Sequence, residues 1–136
     1  ALNGQRRAVN GSRIVVLGVA YKPDIDDVRE SPALDILTLL TRDGAQVLYH
    51  DPYVPEVSHE DHIWRSSDLT DDLLRVSDAV VIVTDHSSFD LERVMELAPI
   101  VVDARNATAG IEAPGGRKER WIVKGMEAAA AQTVGV

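Results

Sequence analysis

The chain contains no cysteine. Disulfides, thiolate metal centres and a thiol nucleophile are therefore excluded from these residues, and the absence suits a reducing compartment. Positive charge is in deficit: 14 Lys and Arg stand against 22 Asp and Glu, a formal net charge of −8. A field of that sign repels nucleic acid and anionic lipid, so neither is expected as a partner. A small anionic ligand is compatible with it, because a few cations gathered in one cleft act locally. No apolar run approaches the ~20 residues of a membrane span. No signal peptide opens the chain, and a cytoplasmic location is expected. The first residue is Ala1 and not Met, as in a processed product or a piece cut from something longer.

Nucleotide signatures are missing too. The turn after the first apolar run reads Gly18-Val19-Ala20-Tyr21-Lys22-Pro23. It has one glycine where G-x-G-x-x-G would let backbone approach a pyrophosphate. Asp51 stands where a ribose-binding acid would, but without the glycines that position counts for little. Neither a G-x-x-x-x-G-K-[ST] loop nor a G-x-S-x-G elbow occurs. A complete NAD-binding Rossmann module is thereby excluded.

What is present is a globular balance, 45% hydrophobic and 26% charged residues over 136 positions, enough for one domain. Residues 12–20 (SRIVVLGVA) form a continuous β-branched run of the kind buried on both faces of a sheet. Ser31-Pro32 reads as a helix start, with Ser31 capping and Pro32 in the first turn. Leu34, Leu37 and Leu40, with Ile36 at the side, give that helix its apolar face, and Gly44 ends it. Residues 45–50 (AQVLYH) are a second strand, stopped by Asp51-Pro52. The pattern repeats: a loop over 53–61, a short edge strand over 62–65, a helix over 68–76 capped by Asp68 or Thr70, and strand 79–84. A helix over 89–98, strand 100–103, a loop over 106–119 and a last strand over 121–124 complete it. Residues 1–11 read as a linker with the end of a preceding helix, 12–125 as the domain, and 126–136 as an Ala-rich tail.

Strands alternating with helices predict a three-layer α/β/α sandwich, a Rossmann-like parallel sheet of five or six strands. The expected spatial order is 3-2-1-4-5-6, or 2-1-3-4-5 if residues 62–65 are not a strand. Ligands of such sheets sit beyond the carboxyl ends of the strands, near the point where strand order reverses. The residues there are Tyr21, Lys22, Asp24, Asp26, Asp27 and Arg29, then His50 and Asp51, Asp85 and His86, and Asp103, Arg105 and Asn106. Lys22, Arg29 and Arg105 are three cations on one edge of an acidic chain. They suit a phosphate or diphosphate, helped by the positive end of the helix starting at Ser31. Tyr21 suits packing on a ring or ribose.

Plainer readings compete. Lys22 and Arg29 also fit as partners of Asp24, Asp26, Asp27 and Glu30 on a solvated loop. Asp26-Asp27 lies too far down its loop for a receiver-type Mg²⁺ site. His59-x-x-His62 beside Asp61 has the spacing of a metal pair but reads as solvated surface, so no metal is assigned. His86 suits a bond to a ligand or, more plainly, the end of a strand, and Trp64 and Trp121 read as core or interface packing.

The stretch 18–52, GVAYKPDIDDVRESPALDILTLLTRDGAQVLYHDP, resembles the C-terminal domain of the UDP-glucose/GDP-mannose dehydrogenase family. AYKP, DDVRESPAL and YHDPYVP are closest in wording to members that oxidise UDP-N-acetylhexosamines. The likeness extends to SDAVVIVTDH, to VDARN and to the opening ALN. It implies a two-step, NAD-dependent oxidation of a nucleotide-sugar C6 alcohol to a uronic acid. It further implies an N-terminal domain that holds NAD and a central domain that supplies the catalytic residues and dimer contact, so a homodimer or larger assembly. Carried over by motif, Tyr21 and Lys22 of AYKP and Arg105 of VDARN would contact the UDP moiety of a UDP-sugar, and Arg29 of DDVRES would reach toward NAD. The resemblance places no catalytic residue in this chain, which lacks the family's cysteine, so the chain alone is expected to be inactive. Two other functions compete: a stand-alone nucleotide- or phosphate-binding module, and a packing or oligomerisation domain without a ligand.

Overall fold

Ile14, Val15, Val16 and Leu17 are all fully buried, which a strand achieves only when both faces of its sheet are covered. The computed structural model describes residues 10–29, 31–104, 108 and 119–122. In chain order its elements are β1 (Arg13–Leu17), α1 (Pro32–Arg42), β2 (Gln46–His50), β3 (Glu56–His59), β4 (His62–Arg65), α2 (Asp71–Val76), β5 (Ala79–Ile82), α3 (Leu91–Leu97), β6 (Ile100–Asp103) and β7 (Glu119–Ile122). Five strands lie parallel in the order β2-β1-β5-β6-β7. Ile14, Val16 and Val81 face α1, meeting Ile36, Leu37 and Leu40. Val15, Leu17, Val80 and Ile82 face the other way, onto Leu74 of α2 and Val94 and Met95 of α3. The three-layer α/β/α reading is correct.

Helix α1 follows its sequence signals closely. The Ser31 hydroxyl accepts from the Ala33 N–H, and Pro32 occupies the first turn. At the other end Gly44, at φ 89°, donates to Thr41 O while Ala45 donates to Leu40 O. These two bonds satisfy carbonyls that a helix end leaves orphaned. One detail differs: Ile36, expected at the side, is fully buried, whereas Leu34 is half-buried.

The sheet order corrects the expected 3-2-1-4-5-6. Counted within the sheet it is 2-1-3-4-5, because β4 does not join it. β4 pairs antiparallel with β3, a strand lying inside what reads as a loop in the sequence. Just beyond β4 the chain touches the sheet, through a parallel bridge between Ser66 and Tyr49 in which the Ser67 N–H donates to Tyr49 O. The cause is the turn at Glu60-Asp61, where both residues adopt left-handed φ, 49° and 67°. That is the conformation of a two-residue hairpin turn, whose usual signature is Asn-Gly. The hairpin is anchored by the cross-strand pair Val57 and Trp64, both packed into the α1 side of the core. The last strand, expected over 121–124, runs from Glu119 to Ile122.

Candidate functional site

With β1 flanked by β2 and β5, the residues just past these three strands meet above one another. Gly18, at φ 81°, turns the chain out of β1, and its N–H donates to His50 O. A Cβ at this position would lie 2.1 Å from Thr84 O, so only glycine fits. Thr84 in turn donates its hydroxyl to Ala20 O at 2.6 Å.

Asp51 is the polar centre of this edge. Its side chain is fully buried, and Oδ2 accepts from the Val19 N–H at 2.8 Å and the Ala20 N–H at 3.2 Å. Its Oδ1 accepts from the Tyr53 N–H at 2.8 Å. His86, also fully buried, lies with Nε2 2.8 Å from Asp51 Oδ2. The other ring nitrogen, Nδ1, accepts from the Asp24 N–H at 2.7 Å. Sequence reasoning gave Asp51 little weight and made His86 the end of a strand. Both instead tie the β1–α1 loop to the sheet. The local sequence carries no signal for this, since the pair is separated by 35 residues.

The loop over residues 21–29 is closed on itself by a Tyr21 N–H to Asp27 O bond of 2.6 Å. Asp24 takes φ 64° and accepts at Oδ1 from both the N–H and the hydroxyl of Ser87, the backbone bond chiefly holding its carboxyl below the ordinary value. Tyr21 is exposed, and Lys22 Nζ lies 5.6 Å from the centre of its ring. Among the described residues Lys22 makes no ion pair.

Arg29 behaves differently. Its Nε and Nη2 grip both oxygens of Asp27 at 3.1 and 2.9 Å, while 87% of its side chain stays exposed. Hydrogen bonds from the Arg29 side chain, then from its backbone, pull the Asp27 carboxyl down to about 2. A depressed native value means the pair's contribution is complete above the unfolded carboxyl's 3.8 and is lost as pH falls through about 2. Following the Asp27 side-chain carbon by NMR is expected to give a midpoint near 2, and Arg29→Met to return it toward the ordinary range; an unchanged midpoint in the variant would refute the pairing.

Arg105 and Asn106 lie outside the described residues, as does Glu30. Asp103, at the end of β6, is buried and accepts at Oδ2 from the N–H and hydroxyl of Thr108. His50 Nδ1 donates to Ser67 O at 2.7 Å. In the hairpin, His59 bonds Asp35 at 3.2 Å and His62 stacks on Trp64, so the two imidazoles are engaged separately. The structure therefore brings Tyr21, Lys22 and Arg29 onto one loop at the carboxyl edge of the sheet, with Arg29 already committed to a carboxylate.

Residues 15–110 match the UDP binding domain of the UDP-glucose/GDP-mannose dehydrogenase family. The chain belongs to this family. It is 36% identical over 106 residues to a UDP-glucose 6-dehydrogenase of Rickettsia bellii, covering 72% of this chain and 24% of that protein. It is 50% identical over 48 residues to a UDP-N-acetyl-D-mannosamine dehydrogenase of Campylobacter jejuni, 35% of this chain and 12% of that one. The solved UDP-D-ManNAc dehydrogenase from Pyrococcus horikoshii superposes with a TM-score of 0.65 at 26% identity, over 99% of this chain and 29% of its own. The chain thus spans about a quarter of the length of the Rickettsia bellii enzyme, and the match takes in less of the Campylobacter jejuni one.

The β1 turn of this UDP-glucose/GDP-mannose dehydrogenase domain does not fit a dinucleotide. In a dinucleotide site the turn's N–H groups face a pyrophosphate. Here the Val19 and Ala20 N–H groups face the carboxylate of Asp51 instead. The chain's own anion fills the role a phosphate would take. Asp51 is correspondingly unable to receive a ribose, since it is buried beneath the turn. Among the described residues no helix is long and apolar enough to cross a membrane.

Proposed function

We propose that this chain supplies the nucleotide grip of an NAD-dependent UDP-sugar 6-dehydrogenase, which oxidises a C6 alcohol to a uronic acid in the cytoplasm. In this reading Tyr21 and Lys22, joined by Arg105, hold the UDP moiety, and Arg29 faces NAD bound by an N-terminal domain. Residues 12–125 form the gripping domain, 1–11 a linker and 126–136 a tail, within a homodimer or larger assembly. Catalytic groups come from the N-terminal and central domains. What this chain's residues contribute is binding and orientation. Lys22 neutralises diphosphate charge, Tyr21 covers the uridine or ribose, and fixing that end of the substrate places C6 for reaction elsewhere. NAD supplies the hydride acceptor when bound by the other domains.

One observation carries the reading. An exposed ammonium without a carboxylate partner among the described residues sits beside an exposed aromatic ring, at the ligand edge of a parallel sheet, in a chain of net charge −8. Calorimetric titration tests it. UDP is expected to bind more tightly than uridine, and Lys22→Ala to weaken UDP about tenfold, the worth of one charge-assisted hydrogen bond. Equal affinity for UDP and uridine, or an unaffected Lys22→Ala, would refute it. The chain alone is expected to turn over no UDP-sugar with NAD.

A further inference from the structure

The geometry points to His86 as a positioning residue for nucleotide binding: braced by Asp51, its ring fixes Asp24 and so sets the reach of Tyr21 and Lys22. The inference rests on the reading of Tyr21 and Lys22 as the UDP grip.

The ring's protonation is dictated from both sides. A backbone N–H has only a proton to offer, so the 2.7 Å bond from Asp24 requires a bare lone pair on His86 Nδ1. The proton then belongs to Nε2, which donates to Asp51 Oδ2 at 2.8 Å. Asp51 can only accept there, because the same oxygen already takes the Val19 and Ala20 N–H groups. A carboxylate behind an imidazole that selects its tautomer is a familiar arrangement at metal ligands and catalytic bases. Here the selected lone pair is spent on a loop amide.

That amide belongs to a residue that needs holding. Asp24 sits at φ 64°, a left-handed conformation that aspartate adopts more readily than most residues but still at a cost, and two side chains hold it there. His86 holds its N–H and Ser87 its carboxylate. Asp24 follows Lys22 by two residues, and the Tyr21 N–H closes the same loop onto Asp27 O. The His86 ring itself has little freedom. Tyr53 lies 4.7 Å from its centre and Phe89 5.3 Å. The titratable groups facing it are Asp51 from the end of β2, Tyr53 from the segment that follows, and Asp24 from the loop. A protonated ring would present two donors, and the Asp24 N–H would lose its acceptor.

Two substitutions divide the ring's two functions. In His86→Asn, Oδ1 stands near the place of Nδ1 and keeps the acceptor for Asp24. In His86→Gln, Nε2 stands near the imidazole Nε2, which keeps the donor to Asp51 but removes that acceptor. On the 136-residue chain, His86→Gln is expected to strip the Asp24 amide of exchange protection and weaken UDP about fivefold, the worth of one hydrogen bond. His86→Asn is expected to retain most of both. A merely structural histidine would show the two variants alike, and that result overturns the proposal. So does lost Asp24 protection with unchanged UDP affinity. If the unsubstituted chain shows no response to UDP, the nucleotide reading fails on its own, and equal Asp24 protection in both variants would then dispose of the role of His86 separately. Should either variant fail to fold, the imidazole ¹⁵N spectrum of the unsubstituted chain decides: a bare Nδ1 with a protonated Nε2 supports the proposal, and a protonated Nδ1 overturns it.

Discussion

A Gly18→Ala variant is expected to lose about 3–5 kcal/mol of stability, a large part of the roughly 5–15 kcal/mol that holds a domain together. Two penalties combine. At φ 81° an added Cβ meets the intrinsic cost of left-handed backbone, about 1–2 kcal/mol. It would also stand 2.1 Å from Thr84 O and 2.7 Å from Thr84 Cβ. Such overpacking costs about 1–3 kcal/mol where neighbours can yield, and here they yield poorly. The Thr84 backbone is bonded to Leu17 O, and its hydroxyl to Ala20 O. Relief requires separating β1 from β5 at the edge where the site stands. Urea unfolding followed by circular dichroism gives the result directly; an unshifted midpoint would show that the turn is not built as described.

Asp51→Ala should be nearly as damaging. The carboxylate accepts from three backbone N–H groups and from the His86 ring; the bonds from Val19, Ala20 and His86 are buried and that from Tyr53 is partly so. Each buried donor left without a partner costs about 1–3 kcal/mol, and the losses do not add in full. A total of about 3–5 kcal/mol is expected. Asp51→Asn preserves shape and one acceptor oxygen but turns an amide N–H₂ toward other donors, so a smaller loss of about 1–3 kcal/mol follows. Hydrogen exchange at Val19 and Ala20 separates local from global failure. Protection retained at those two amides in Asp51→Ala would mean that water or another group replaces the carboxylate.

These two residues also mark where sequence reading succeeds and stops. Residues 12–20 announce a doubly buried strand, and Ser31-Pro32 and Gly44 bound a helix, because each signal is local: a periodicity, a cap, a left-handed turn. The hairpin of β3 and β4 is local as well but is written in Glu60-Asp61, which hides the turn that Asn-Gly would advertise. Missing it gives β4 to the main sheet and yields the wrong strand order. The network of Asp51, His86 and Asp24 is not local at all, joining positions 35 and 62 residues apart. It emerges only when β1 is known to lie between β2 and β5, which sets the ends of those strands over the turn. The candidate edge itself was legible, since strand ends and sheet class suffice to locate it, and Tyr21, Lys22 and Arg29 do share it. The commitment of Arg29 to Asp27 was foreshadowed by the acidic neighbours in its own loop.

Backbone amide mapping of the chain during addition of UDP tests most directly whether this edge receives the nucleotide. The largest shifts are expected at Tyr21 and Lys22 and through the loop to Arg29, with Arg105 joining them and the hairpin tip at Glu60 and Asp61 unmoved. Shifts concentrated on the hairpin or on the outer face of α1, with residues 21–29 silent at saturating UDP, would contradict the assignment.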